Sequence, residues 1–275
     1  MAWWKGTDGG PDSSNRTIGV IANHDHDLLE TVQSEIIPRL LLSHRDDAVV
    51  GTTCESRGLP TNDEIDEFAH LAVAQDIPTA LARIQTYCTD GLSLEAILVH
   101  LIAPTARLLG DQWLSDERLF TEVTLGLGAL QQLVFILGPR VADVPSNDGF
   151  VLLTAAPGEQ HTLGLYIAGE FIRKAGYGVL VAPTMPSAEL LEFVASESVG
   201  AVGFTVSNTH LLKPLASLIA LVRRSSRNRR LEIVVGGALD LTEFAAQHDA
   251  VVCGTDPREF VRHLDVSGKL GTRSI

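Results

Sequence analysis

Residues 157–164 read PGEQHTLG, which places an imidazole, His161, two residues after a carboxylate, Glu159, and three before a glycine, Gly164. A neutral imidazole is a good ligand for transition metals, and a carboxylate bonded to its second ring nitrogen fixes the tautomer and raises its basicity. Glu159 is spaced for that role. Gly164 removes a side chain where something bulky could lie against the backbone. Two further stretches offer groups of the same kind: FTVSN brings the hydroxyls of Thr205 and Ser207, and VVGGA brings the bare backbone of Gly236 and Gly237. Taken alone, a Glu-x-His-x-x-Gly pattern leaves two readings open. One is a metal-ligating histidine and the other an ordinary polar loop residue.

The elements that must position these residues follow from periodicity. Short apolar runs at 150–155, 178–182, 201–206, 232–235 and 250–253 alternate with helical spacing at 162–175, 187–197, 211–224 and 241–247. That alternation predicts a doubly wound parallel sheet with helices on both faces. In such a sheet ligands bind outside the carboxyl ends of the strands, and Glu159, His161, Thr205, Ser207, Gly236 and Gly237 all fall there. Upstream, residues 61–142 carry four helical stretches, near 64–74, 78–89, 94–111 and 117–137, with TNDE and LSDE as N-cap signals before the first and last. These predict a four-helix bundle. Between the two regions GPRVADVPSNDG reads as a linker. The expected organisation is an N-terminal segment over 1–60, the bundle over 61–142, the sheet domain over 148–265 and a tail over 266–275. Within the first segment, 27–44 has helical apolar spacing interrupted at Pro38, while Trp3 and Trp4 have no assigned role.

Composition narrows the chemistry. A chain of 275 residues with 45% hydrophobic and 20% charged side chains has material for packed cores. Its formal net charge of −13 excludes holding nucleic acid by general electrostatics, which needs clustered Lys and Arg. The run RRSSRNRR, Arg223 to Arg230, stands out against that charge and reads as a solvated helix end with room for a phosphate contact. Cys54, Cys88 and Cys253 lack metal-ligand spacing, so a reduced, cytoplasmic setting without a disulfide is expected. No apolar run is expected to reach the roughly 18 residues that cross a bilayer. NHDHD at 23–27 reads as a polar loop or cap, and His70 and His100 as helix-surface or core histidines. Gly126 and Gly128 are unfavourable in a helix by roughly 1 kcal/mol each, which close approach of a cofactor or of a second helix would explain. There is no Ser-His-Asp or Cys-His arrangement, P-loop or GxGxxG motif, so a self-contained enzyme is not expected.

The combination of bundle, Glu159-x-His161-x-x-Gly164, a Ser/Thr-bearing third strand end and a Gly-Gly loop resembles the cobalamin-binding module. PGEQHTLGLYIAGEFIRKAGYGV is similar to that family's first loop and helix. The resemblance implies a flavodoxin-like, Rossmann-type fold in which His161 is the lower axial ligand of cobalt and Glu159 the carboxylate behind it. The nucleotide tail would lie by Gly158, Gly164, Thr205, Ser207, Gly236 and Gly237. EIIPRLLLSHR, LIAPTARLLGDQW and LFTEVTLGLGALQQL further resemble the AerR/PpaA group, cobalamin-binding antirepressors of CrtJ/PpsR-type repressors of photosynthesis genes, over Leu29 to Leu264. In related CarH-type photoreceptors a Trp and a Glu-His pair cap the upper face. Here Trp113 is present, but Glu122, Val123 and Thr124 occupy the region of the pair. The incomplete cap favours aquo- or hydroxocobalamin over adenosylcobalamin. The resemblance thus implies a cytoplasmic light-responsive regulator that contacts a repressor and does not bind DNA specifically alone. A corrinoid methyl carrier and a haem-binding redox sensor are its rivals, and the Gly-Gly loop argues against haem, which has no nucleotide tail.

Overall fold

The computed structural model describes residues 58–138 and 150–268. The 27–44 segment, Trp3, Trp4, Cys54, NHDHD and most of the expected linker and of the expected C-terminal tail lie outside the described residues, while Val266 and Ser267 of that tail belong to the last described helix.

Four helices come first: α1 (Asn62–Val73), α2 (Ile77–Thr89), α3 (the continuous segments Leu94–Ile97, Leu98–Ile102 and Ala103–Leu114) and α4 (Phe120–Leu137). Their starts follow from capping chemistry. Thr61 and Glu64 form a capping box at α1, with the Glu64 carboxylate accepting the Thr61 N–H at 2.9 Å. Asp76 caps α2 just ahead of Pro78, and Ser93 caps α3. Helix α3 changes register along its length, from α over Leu94–Ile97 to π over Leu98–Ile102 and back to α over Ala103–Leu114. Pro104 accounts for the change. Its ring crowds the carbonyl four residues earlier and it has no N–H, so a wider turn just before it relieves the clash. The Ala103 N–H accordingly reaches back to the Leu98 carbonyl.

The last helix starts later than expected. LSDE forms a turn with Asp116 at φ 60°, and α4 begins at Phe120, where Glu122 accepts the Leu119 N–H at 2.8 Å. Helix α4 also corrects the expectation about apolar length. Its 18 residues have a mean hydropathy of 1.5, long and apolar enough by composition to cross a bilayer. Here Val123, Ala129, Leu130, Leu133 and Val134 bury one face in the bundle core. Gly126 is explained by that packing, since a Cβ there would sit 2.8 Å from Leu109 Cδ1.

The second region is an α/β fold: β1 (Phe150–Ala155), α5 (Leu163–Lys174), β2 (Val179–Val181), α6 (Ser187–Ser196), β3 (Val199–Thr205), α7 (Leu212–Ser225), β4 (Glu232–Gly236), α8 (Thr242–Gln247), β5 (Val251–Val252) and α9 (Pro257–Ser267). All strand pairs are parallel, in the order β2-β1-β3-β4-β5. This is the flavodoxin-like order, whose topological switch lies between β1 and β3. The central strands β1 and β3 are buried nearly throughout, as expected for a sheet covered on both faces.

Helix α9 is absent from the periodicity reading. Asp256 caps it, Pro257 occupies its first turn, and Gly268 ends it in the left-handed conformation at φ 59°. The arginine run also differs from expectation. The Arg223 guanidinium donates to the Leu231, His248 and Asp249 carbonyls, and Arg227 donates to that of Ser196, so part of the run ties loops together. Cys88 and Cys253 are buried, which pushes their thiols up to about 11 and about 12 and makes them poor nucleophiles.

The two regions share α5. Its Ile167 and Phe171 pack into the bundle core, while Leu165 and Ile172 pack against the sheet. Polar contacts tie both ends of α5 to the bundle: the Gln131 amide of α4 donates to Thr162 Oγ1 at 2.9 Å, and Lys174 pairs with Glu95 of α3.

Candidate functional site

The loop from β1 to α5 carries Glu159 and His161 at the switch point, and the loop after β3 brings Ser207 to them. Gly158 makes the turn possible with φ 88°, a conformation open to glycine at little cost. It turns Glu159 inward until the carboxylate is 1% exposed while the His161 side chain remains 78% exposed. That contrast defines the site. Glu159 Oε1 accepts the N–H groups of Gln160 and His161, each at 2.8 Å, and lies 2.7 Å from His161 Nδ1. Glu159 Oε2 accepts the Ser207 N–H at 2.5 Å, and Ser207 Oγ lies 2.9 Å from the same Nδ1.

Burial alone would raise the Glu159 carboxyl pKa. The backbone and side-chain groups of His161 and Ser207 outweigh it and hold the value at about 2. The carboxylate is therefore ionised at neutral pH, and an ionised carboxylate only accepts. Nδ1 then carries the proton that faces it, so in the neutral imidazole the lone pair is on Nε2, on the exposed side of the ring.

The remaining expected residues are distributed as follows. Thr205 ends β3, and its carbonyl accepts the Ala156 N–H at 2.9 Å, so β3 holds the start of the histidine loop through backbone. Gly164 lies in the first turn of α5, with nothing within 4 Å of where a Cβ would be. Gly236 and Gly237 lie at the end of β4. A Cβ on the first would overlap the Cys253 carbonyl oxygen and on the second, at φ 142°, the Val206 carbonyl oxygen. Their bare backbone is thus required by the neighbouring strand ends.

Trp113 and Glu122 flank the turn between α3 and α4. Trp113 meets Phe120 edge to face with ring centroids 6.0 Å apart, and Glu122 serves as the α4 cap described above.

Sequence reasoning did not single out Gln131. Helix α4 passes Thr162 at Gln131 and has Gly138 against Glu170, so α4 and α5 run in the same direction and the N-terminal half of α4 continues beyond the strand ends. On a helix, residues 131, 128, 124 and 120 share one face. Gly128, Thr124 and Phe120 on that face are exposed, Phe120 by 65%, and a Cβ on Gly128 would meet nothing within 4 Å. Gly128 is thus not explained by helix packing, unlike Gly126. The helix rise places it about 4.5 Å past Gln131 and Phe120 about 16.5 Å past it.

Among the described residues no group of three or more His, Cys, Asp or Glu side chains could hold a metal ion. One imidazole backed by one carboxylate is too small a donor set for a free ion, but fits a metal that brings its own equatorial ligands. The exposed Nε2, the unobstructed backbone at Gly164 and the open α4 face give such a group room on the protein side.

The description "B12 binding domain" matches residues 149–262. An "uncharacterized 20.5 kDa protein in bchF-crtJ intergenic region" of Rhodobacter capsulatus is 31% identical over 149 residues, 53% of this chain and 77% of that protein. Among solved structures, the Methanosarcina barkeri monomethylamine corrinoid protein superposes with a TM-score of 0.61 at 16% identity, covering 75% of this chain and all of that one.

Proposed function

This chain belongs to the B12-binding domain family, and from that premise we propose that it is a cobalamin-dependent regulator. In this reading it binds aquo- or hydroxocobalamin through His161 and acts on a CrtJ/PpsR-type repressor of photosynthesis genes. The observation that carries the binding half is the His161 imidazole, with Nδ1 held by buried Glu159 and by Ser207 and Nε2 free at the strand ends. When bound, cobalamin would supply a cobalt that can take an imidazole from the protein and carry an exchangeable or light-labile ligand. Glu159 and Ser207 keep the imidazole in the ligating tautomer and orientation, and Gly164 leaves space for the tail. Trp113 and the α4 face would border the upper side.

Two observations support the regulatory half. The R. capsulatus relative is described by its place between bchF and crtJ. At the site, Glu159 is committed to its imidazole and backbone partners rather than free to act as a general acid or base, which suits a sensor. A corrinoid methyl carrier is the second reading. The open α4 face at Gly128 and Thr124 would suit it, because a carrier needs its upper face accessible to a partner.

The binding claim is tested by passing the protein, mixed with hydroxocobalamin, over a desalting column. The wild type should retain the cobalt spectrum and His161→Ala should lose it. Equal retention by both would remove His161 from the site.

A further inference from the structure

We infer that Gln131 is a positioning and specificity-determining residue, one that sets the height of the gap between His161 and the open face of α4. The inference rests on the cobalamin-site reading given above.

Thr162 occupies the N-cap position of α5, where a threonine hydroxyl normally accepts an N–H of the first turn. It makes no such bond: its backbone, at φ −108° and ψ −10°, is already turned into the helical region. The hydroxyl instead accepts the Gln131 amide from α4 at 2.9 Å. A local capping interaction is forgone for one that crosses between the two halves of the molecule, directly beside His161. Departures from local preference of this kind concentrate at functional positions.

The surrounding contacts give the bond its leverage. At the other end of α5, Lys174 pairs with Glu95, and Ile167 and Phe171 are buried in the bundle core. Gly138, which ends α4, packs against Glu170. Those contacts fix the C-terminal ends of α4 and α5 together. At the opposite end Leu163 and Tyr166 also pack against the bundle core, and the Gln131–Thr162 bond is the polar tie there, where α4 runs on past His161 with Gly128 and Thr124 exposed. Breaking it leaves the near end held by apolar packing without a fixed polar partner, so that end loosens first. The group most affected is whatever stands between His161 and α4, and a bulky upper ligand gains most from added height.

The test is the ratio of dissociation constants for adenosylcobalamin and hydroxocobalamin, measured in the dark by calorimetry. The wild-type site should favour hydroxocobalamin. Gln131→Leu, which keeps the bulk and removes the donor, should shrink that preference about fivefold, the effect of one hydrogen bond. Thr162→Val should do the same from the other side, whereas Thr162→Ser, which keeps the hydroxyl, should retain the wild-type ratio. The two sides also guard against a single variant that fails to fold.

A ratio within twofold of wild type in Gln131→Leu or Thr162→Val would overturn the inference. So would an equal loss of preference in Thr162→Ser, because the hydroxyl acceptor would then be irrelevant. Failure of the underlying reading has a different signature: no binding of either cobalamin by the wild type, or wild-type binding by His161→Ala, would remove the site and this inference with it.

Discussion

At His161 the roles of the two ring nitrogens are fixed by neighbours from different strands. Glu159 comes from the β1 loop and Ser207 from the β3 loop, and both face Nδ1. Replacing Glu159 with Gln keeps the shape but substitutes a neutral amide for a carboxylate that accepts three backbone N–H groups and the imidazole. We expect hydroxocobalamin to bind about 10–100-fold more weakly to Glu159→Gln, the usual cost of losing such a partner, as read by calorimetric titration. Unchanged affinity would show that the imidazole needs no carboxylate. Gly237 supports a separate prediction. Gly237→Ala should cost about 2 kcal/mol or more in thermal or denaturant unfolding, because φ 142° and the Val206 carbonyl both oppose a Cβ. A variant as stable as the wild type would contradict the packing at the end of β4. The Glu159–His161 pair was legible in the sequence as an imidazole two residues from a carboxylate at a strand end, whereas Ser207 was read only as a hydroxyl at another strand end and its approach to Nδ1 was not foreseen. Gly236 and Gly237 were legible as exceptions, but the constraint on them is the chain's own backbone. Gln131 was not legible, since an amide in a long apolar helix shows its purpose only once the partner helix is placed beside it.

At the scale of elements, α5 is the part both halves depend on, and its two ends carry different kinds of tie. Gln131–Thr162 is neutral, whereas Lys174–Glu95 is ionic and therefore depends on pH. Burial pushes the Glu95 carboxyl up, but the hydrogen bond from Lys174, a backbone bond and the Lys174 charge together bring it below the usual carboxylate value. A carboxyl whose folded value is depressed stabilises the fold above its unfolded value, near 4.3, and loses that contribution as pH falls toward the lower folded one. Lys174→Met should therefore destabilise the protein at pH 7, and the difference from wild type should shrink as the pH falls through the depressed folded value, where Glu95 becomes protonated in the wild type as well. Thermal unfolding across that range checks the sign, and a difference that grows on acidification would refute it. Most elements were legible from periodicity: the five apolar runs became the five strands, and the four helical stretches became the bundle. Helix α9 escaped because only Phe260, Val261, Leu264 and Val266 are apolar in its 11 residues, too narrow a stripe to stand out. Its Asp-Pro start and Gly stop were the usable signals. The π segment of α3 was hidden for another reason: Pro104 announces a disturbance, but a kink, a break and a wider turn all answer it.

For the whole molecule, the proposed output would follow from how one half sits against the other. His161 is on the sheet side, the open face of α4 is on the bundle side, and α5 is packed into both cores. A ligand between them can shift the arrangement only by binding one form more tightly than the other, so the ligand-dependent part of an effect on a partner must disappear with the ligand or with His161. The formal charge of −13 opposes phosphate-driven DNA binding, and the arginine run is partly occupied in holding the Leu231, Asp249 and Ser196 carbonyls. We therefore expect no sequence-specific shift of promoter DNA by this protein alone, but a change in the shift produced by a CrtJ/PpsR-type repressor. That change should be larger with hydroxocobalamin than without it, and His161→Ala should lose the cofactor-dependent part while keeping the rest. Mobility-shift titrations of the repressor–promoter complex with wild type and variant, with and without hydroxocobalamin, measure all three quantities. An indifferent repressor, in a preparation that does bind hydroxocobalamin through His161, would leave the cofactor site standing and turn the functional reading toward methyl transfer. Tight specific DNA binding by the protein alone would instead locate the output in the arginines that stay exposed, Arg224, Arg229 and Arg230.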